Sequence, residues 1–242
     1  MNEKLVEQML CDDRVKSILI GNIHALKVIP ENVKKVIVYC HGLGANKNWM
    51  ARFYEPLYQN QIGIIAFDFP GHGEDERIFS DFPFEQCLSD LEKVIDYAKQ
   101  YAKVSLFGCS FGGFVVLNEL LKHSQVESTY LMCPAVNFCS IVEKKTGVSE
   151  QFYETHDSIF LYKHMKLTKE IYHTLKEAEA KVMASFYQNI HIIHGKMDTT
   201  VDYQVIQVFC QKHASLLTTI ESGKHELYGF DQEIIDWLLK EF

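Results

Sequence analysis

The sequence predicts an α/β domain, a mostly parallel sheet with helices on both faces. Three observations predict it. From Val36 onward, short β-branched runs alternate with segments of helical periodicity. Such alternation favours parallel strands joined by crossover helices. The chain has 242 residues, a length that α/β folds often reach as a single domain. Its composition, 47% hydrophobic and 23% charged, is that of an ordinary globular protein.

The elements can be taken in order. Val15–Ile20 and Ile23–Ile29 read as strands joined at Gly21-Asn22, a two-residue hairpin signal. Val36–Cys40, Ile62–Phe67, Val104–Phe107, Thr129–Cys133, Ile190–His194 and Leu216–Ile220 read as further strands. Phe84–Tyr101 keeps Leu88, Leu91, Val94, Ile95 and Ala98 on one face, the spacing of an amphipathic helix. Phe111–Lys122, Tyr203–Lys212 and Phe230–Lys240 are also expected to be helical. More than fifty residues separate Cys133 from Ile190. They carry no good strand pattern and look helical. A single crossover helix does not need that length. Residues 1–242 are therefore expected to form one domain, with a helical cap insertion at about 136–185. That cap should sit on the carboxyl edge of the sheet, where open α/β sheets bind ligands.

Charge and cysteine usage narrow the partners. The formal net charge is −8, which repels nucleic acid and anionic lipid. Lys34-Lys35 and Lys144-Lys145 are only pairs, so nucleic acid is set aside as a partner. The seven cysteines include no C-x-x-C pair, and several sit in apolar runs. This pattern fits buried thiols in a reducing compartment. The first residues lack the features of a signal peptide, and no apolar run is long enough to span a bilayer. The expectation is a soluble, cytoplasmic protein of open oligomeric state.

The strongest chemical signal is Gly108-Cys109-Ser110-Phe111-Gly112. It follows the strand Val104–Phe107 and precedes a helix, the context of a nucleophile elbow. The sharp turn needs nearly atomless neighbours on either side of the serine. It would aim the Phe111 amide at a developing oxyanion. A serine nucleophile needs a base, and the base an orienting carboxylate. The strand Ile190–His194 runs into Gly195-Lys196-Met197-Asp198, and Leu216–Ile220 is followed by Gly223-Lys224-His225-Glu226. Ser110, Asp198 and His225 thus lie at three carboxyl strand ends in the order nucleophile, acid, base. The loop His41-Gly42-Leu43-Gly44 should supply a second oxyanion donor, the Leu43 amide. Asp202 fits the N-cap of the helix at Tyr203 instead of the acid's role. His191 and His194 fall on opposite faces of a strand. His156, His164 and His173 form no H-E-x-x-H pattern, so neither a metal nor a cofactor is expected.

These motifs, together with Asp68-Phe69-Pro70-Gly71-His72-Gly73, resemble the α/β-hydrolase superfamily. The resemblance covers nearly the whole chain. It is closest to the carboxylesterase and serine-aminopeptidase-like branch, which includes monoacylglycerol lipases and cinnamoyl esterases. It implies the triad above, the segment 136–185 as a cap, and a bracing role for Asp68 and His72. The His-Gly-Gly-Pro-Gly loop of proline iminopeptidases is absent, which argues against that activity. The expected function is hydrolysis of small acyl or aromatic carboxylic esters, with a small-molecule ester as partner. A thioesterase, an acyltransferase and a non-catalytic receptor on the same fold are the alternatives. Phe138, Phe152, Tyr153, Phe160, Tyr162, Tyr172 and Phe186 in the cap should mostly pack its own core, with one or two facing the substrate.

Overall fold

A computed structural model of the chain describes residues 3–122, 126–213 and 215–240. The strands are β1 (Lys16–Ile20), β2 (Ile23–Val28), β3 (Lys35–Cys40), β4 (Ile62–Phe67), β5 (Lys103–Cys109), β6 (Thr129–Met132), β7 (Ser158–Tyr162), β8 (Met165–Thr168), β9 (Ile190–Gly195) and β10 (Leu216–Ile220). Among the described residues, eight of them form the main sheet in the order β1-β2-β4-β3-β5-β6-β9-β10. β1 pairs antiparallel with β2, and β2 with β4. From β4 to β10 every pairing is parallel. The central strands β3, β4 and β5 are buried almost throughout. That burial on both faces explains why they read as continuous apolar runs.

The helices are α1 (Glu3–Leu10), α2 (Tyr54–Gln59), α3 (Phe84–Ala98), α4 (Phe111–Leu120), α5 (Phe138–Thr146), α6 (Lys169–Ala184), α7 (Tyr203–His213) and α8 (Asp231–Lys240). They cover the sheet as two layers. Val36, Val38, Ile65 and Leu106 join a core with residues of α3, α4 and α7. Ile37, Tyr39, Ile64 and Phe107 join a second core with α2 and α8. Alternate strand residues feeding opposite cores is the period-two signature of a doubly covered sheet. α1 and α2, together with a 3-10 turn at Lys47–Arg52, went unmarked in the sequence.

Connectivity places the site. From β3 the chain steps to β4 on one side, then crosses back to β5 on the other. The crevice at the carboxyl ends of β3 and β5 is therefore the topological switch point. The register Cys40↔Gly108 ends both strands at the same level. The loop after β3 and the turn after β5 leave side by side.

The segment 136–185 departs from the wholly helical expectation. It holds α5 and α6, but between them β7 and β8 form an antiparallel hairpin with an irregularity between Phe160 and Tyr162. Met165 and Leu167 of β8 alternate inward and are fully buried. The Lys166 amide donates to Ser80 O at 2.8 Å, and the Phe82 amide donates to Lys166 O at 2.8 Å. The hairpin is thus stitched by backbone bonds to the stretch before α3. Residues distant in sequence supply those bonds, so local periodicity carried no sign of them.

The same segment is joined to the body of the protein by aromatic packing. Phe138 of α5 lies with ring centroids 4.8 Å from Phe111, 5.5 Å from Phe114 and 6.3 Å from Phe82. A buried Phe truncated to Ala costs about 3–5 kcal/mol. Phe138→Ala should therefore lower global stability by about that amount, read from urea unfolding. A loss under about 1 kcal/mol would mean that the segment packs independently of the sheet.

Candidate active site

Ser110 sits between the end of β5 and the start of α4, with φ 50° and ψ −116°. A non-glycine residue there is strained by roughly 1–3 kcal/mol, so its surroundings must hold it. The Ser110 amide donates to Met132 O at 3.0 Å. Its carbonyl accepts from Gly113 N and Ala135 N, both at 3.0 Å. The elbow's glycines are steric necessities. A Cβ on Gly108 would fall 2.7 Å from Gly113 Cα, and one on Gly112 would fall 2.2 Å from Cys40 O.

The other two residues arrive from β9 and β10. These strand ends are pressed together, because a Cβ on Gly195 would lie 2.3 Å from Gly223 O. The Met197 amide donates to Gly223 O at 2.9 Å. Asp198 then follows in a turn, its Oδ1 accepting from Thr200 N at 2.8 Å and Val201 N at 2.9 Å. Its Oδ2 lies 2.7 Å from His225 Nδ1, and His225 Nε2 lies 2.8 Å from Ser110 Oγ. A carboxylate can only accept, so Nδ1–H donates to Asp198 and Nε2 is left to accept the serine proton. Asp198 is 7% exposed. Burial alone would raise its carboxyl, but the His225 contact and the Val201 and Thr200 amides outweigh it and hold the pKa below the ordinary value.

A buried histidine backs this pair. His194 Nε2–H donates to Val201 O at 3.1 Å and lies 3.4 Å from Asp198 Oδ2. Cys133, with φ 45°, brings its sulfur within 4.8 Å of Asp198 and His225 ligand atoms. Burial pushes that thiol well above its ordinary pKa. Asp202 caps α7 through its Oδ1, which accepts from Gln204 N at 2.8 Å.

Gly42 to Ala45 form a tight turn beside the serine, with Ala45 N donating to Gly42 O at 3.0 Å. Gly44 takes φ +80°, as the third residue of a type II turn requires. A Cβ on Gly42 would lie 3.4 Å from Ser110 Cβ. His41 fixes this turn. Its Nε2 accepts from Phe69 N at 3.0 Å, so its Nδ1–H donates to Gly42 O at 2.8 Å. Asp68 is fully buried and ties two loops together. It accepts from Lys47 N, Lys47 Nζ and Glu74 N at 2.8, 2.6 and 2.9 Å. His72 stacks on Tyr162 of the hairpin at 4.3 Å and 5°.

The loop carrying His225 is held from the 3-10 turn. Arg52 donates to Glu226 O at 3.2 Å, Leu227 O at 3.0 Å and Asp231 Oδ1 at 2.7 Å. Sequence reasoning did not mark Arg52. A lone arginine near an unmarked helix carries no local motif, and its partners lie more than 170 residues away.

A cavity of about 190 Å³ opens at Ser110. Its walls include Leu43, Trp49, Met132, His225, Glu226 and Tyr228. None of the seven aromatics singled out in the segment 136–185 is among the residues that form its walls. Phe138, Tyr153 and Tyr172 are buried, and Phe160 and Phe186 are 62% and 66% exposed. Tyr162 reaches within 3.6 Å of where a Cβ on Gly44, one of the lining residues, would stand. Trp49 and Tyr228 were missed because neither belongs to a recognisable spacing.

His41 generates a pH prediction. Burial, reinforced by neighbouring His72, pushes its pKa from 6.5 down to about 3. Between those values the unfolded chain takes up a proton that the folded chain refuses, so stability falls on acidification. The urea midpoint should drop between pH 6.5 and about 4, and the drop should be shallower in His41→Gln. Parallel curves for the two proteins would contradict a neutral His41.

The model of the family described as serine aminopeptidase, S33, matches residues 31–157, a stretch that contains Ser110 but not Asp198 or His225. A Mycoplasma genitalium protein named "Putative esterase/lipase 2" is 27% identical over 144 residues, 59% of this chain and 53% of that protein. The chain thus spans about half the length of that relative. The esterase Est1E of Butyrivibrio proteoclasticus, solved with ferulic acid bound, superposes with TM-score 0.78 at 18% identity, covering 93% of this chain and 98% of that one. A monoacylglycerol lipase of Paleococcus ferrophilus superposes with TM-score 0.68 at 17% identity, covering 91% and 99%. At such identities the two structures establish the α/β-hydrolase fold.

Proposed function

Because the chain belongs to the serine aminopeptidase S33 family of hydrolases, we propose that it cleaves small carboxylic esters through Ser110, His225 and Asp198. The observation that carries this reading is the unbroken hydrogen-bond relay from Asp198 Oδ2 through His225 to Ser110 Oγ, at 2.7 and 2.8 Å. These are the distances a general base and its orienting acid need.

In the proposed cycle His225 Nε2 takes the Ser110 proton as Oγ attacks the ester carbonyl. The Asp198 carboxylate holds the imidazole in the tautomer that can accept that proton. The Phe111 and Leu43 amides receive the developing oxyanion. Phe111 opens α4, so its amide is one of the unsatisfied donors at a helix start. Leu43 is the second residue of the glycine turn that His41 pins beside Ser110. Collapse expels the alcohol, protonated by His225. Water, activated by the same histidine, then frees the carboxylic acid. The ester preference is supported by the name of the curated relative and by the esterase and lipase folds that superpose. The substrate size is supported by the cavity, which is smaller than the roughly 300–1,000 Å³ of drug-sized pockets.

A fluorophosphonate probe should label Ser110 stoichiometrically, and Ser110→Ala should abolish labelling. With p-nitrophenyl acetate, Ser110→Ala should lose on the order of a million-fold in kcat, by analogy with a serine protease triad. Asp198→Asn should lose about ten-thousand-fold, while Asp202→Asn should cost far less because Asn caps a helix nearly as well as Asp. Greater damage from Asp202→Asn with stability intact would move the acid's role away from Asp198.

A further inference from the structure

The cavity at Ser110 has an uneven electrostatic lining. Trp49 and Tyr228 form an aromatic wall, their centroids 5.5 Å apart and their planes tilted by 40°. Both rings are in reach of solvent, with Tyr228 53% exposed. Glu226 lines the same cavity and is exposed. It is the only carboxylate among the lining residues, and no Lys or Arg is among them. Among the described residues the Glu226 carboxylate has no ion-pair partner within 4.0 Å. Arg52 approaches the Trp49 and Tyr228 rings at 5.4 and 5.5 Å. Its charge, however, is matched by Asp231 at 2.7 Å, and it does not line the cavity.

We propose that Trp49, Tyr228 and Glu226 select the substrate by charge, and that the site takes compact esters carrying a positive, ammonium-type group. Deepening the reading above, this inference rests on the serine-esterase assignment. Aromatic faces attract cations through their quadrupole. A carboxylate at the same wall adds Coulomb attraction for a cation and repels an anion. The net charge of −8 acts in the same direction, steering cations toward the molecule from a distance. Size sets the other limit. A cavity of about 190 Å³ seats one compact group beside Ser110.

Arg52 makes the wall rigid. It stands against both rings while donating to the Glu226 and Leu227 carbonyls. The backbone that carries Glu226 is therefore fixed, and its placement at the cavity needs no ordering of the loop.

The test compares acetylcholine with its neutral carbon isostere, in which carbon replaces the quaternary nitrogen, by pH-stat. The expected result is a kcat/KM ratio favouring acetylcholine by roughly fivefold at low salt, the effect of one charge pair at about 4 Å in a watery site. The ratio should fall toward unity in Glu226→Gln and at high ionic strength, where exposed charges are screened. Trp49→Leu should lower it further in the same background. Fluorophosphonate labelling of Ser110 in each variant checks that the site is intact. A wild-type ratio at or below unity, or a preference that survives Glu226→Gln at intact labelling, overturns the inference and leaves the esterase reading standing. Loss of labelling and of turnover with both esters in the wild type would overturn the two together.

Discussion

Ser110 holds a backbone conformation of φ 50° and ψ −116°, and the surrounding chain leaves it no easier path. β5 delivers it at the level of the β3 end, and α4 begins at once after it. Four backbone partners, Met132, Gly113, Phe114 and Ala135, fix its amide and carbonyl. The glycines at 108 and 112 exist because strand, helix and the β3 loop meet there with no room for a Cβ. The strain is therefore met by packing that would be lost if the turn relaxed. Its return is a hydroxyl at the carboxyl edge of the sheet, 2.8 Å from His225 Nε2.

The remaining parts of the site hang on loops, and buried polar anchors stiffen them. Asp68 with Lys47 ties the loop after β4 to the one after β3. His41 holds the glycine turn through a neutral imidazole that accepts on one side and donates on the other. Arg52 holds the histidine loop through two carbonyls and Asp231. Each anchor is a buried group that would be costly if left unpaired. Each therefore has essentially one satisfactory arrangement, which is how a loop acquires the precision of a strand.

The architecture was legible where physics is local. Strands buried on both faces read as apolar runs, and the elbow announced itself because its glycines cannot be replaced. Asp198 and His225 were legible because each follows a strand end with a glycine turn. The hairpin in the segment 136–185 was not, since its β8 is secured by backbone bonds to Ser80 and Phe82. The cavity wall was missed for a related reason. Trp49 and Tyr228 come together from points 179 positions apart, joined through Arg52. Phe138, Tyr153 and Tyr172 of the insertion pack in its core, as expected, while Phe160 and Phe186 are exposed. Composition says that rings are present and says nothing about which way they face.

The separations spanned by these contacts bear on how the protein matures. Ser110 meets His225 across 115 positions, and Arg52 meets Asp231 across 179. Contacts so remote must bear the entropy of closing large loops before they contribute anything. β10 joins only at the edge of the sheet, beside β9, so the histidine loop can dock only after the central strands have paired. A chain that has collapsed and formed most of its sheet still lacks the contact between Ser110 and His225. During refolding, formation of that contact will lag behind recovery of secondary structure, and the pairing of serine with histidine becomes the signal that the last edge has closed.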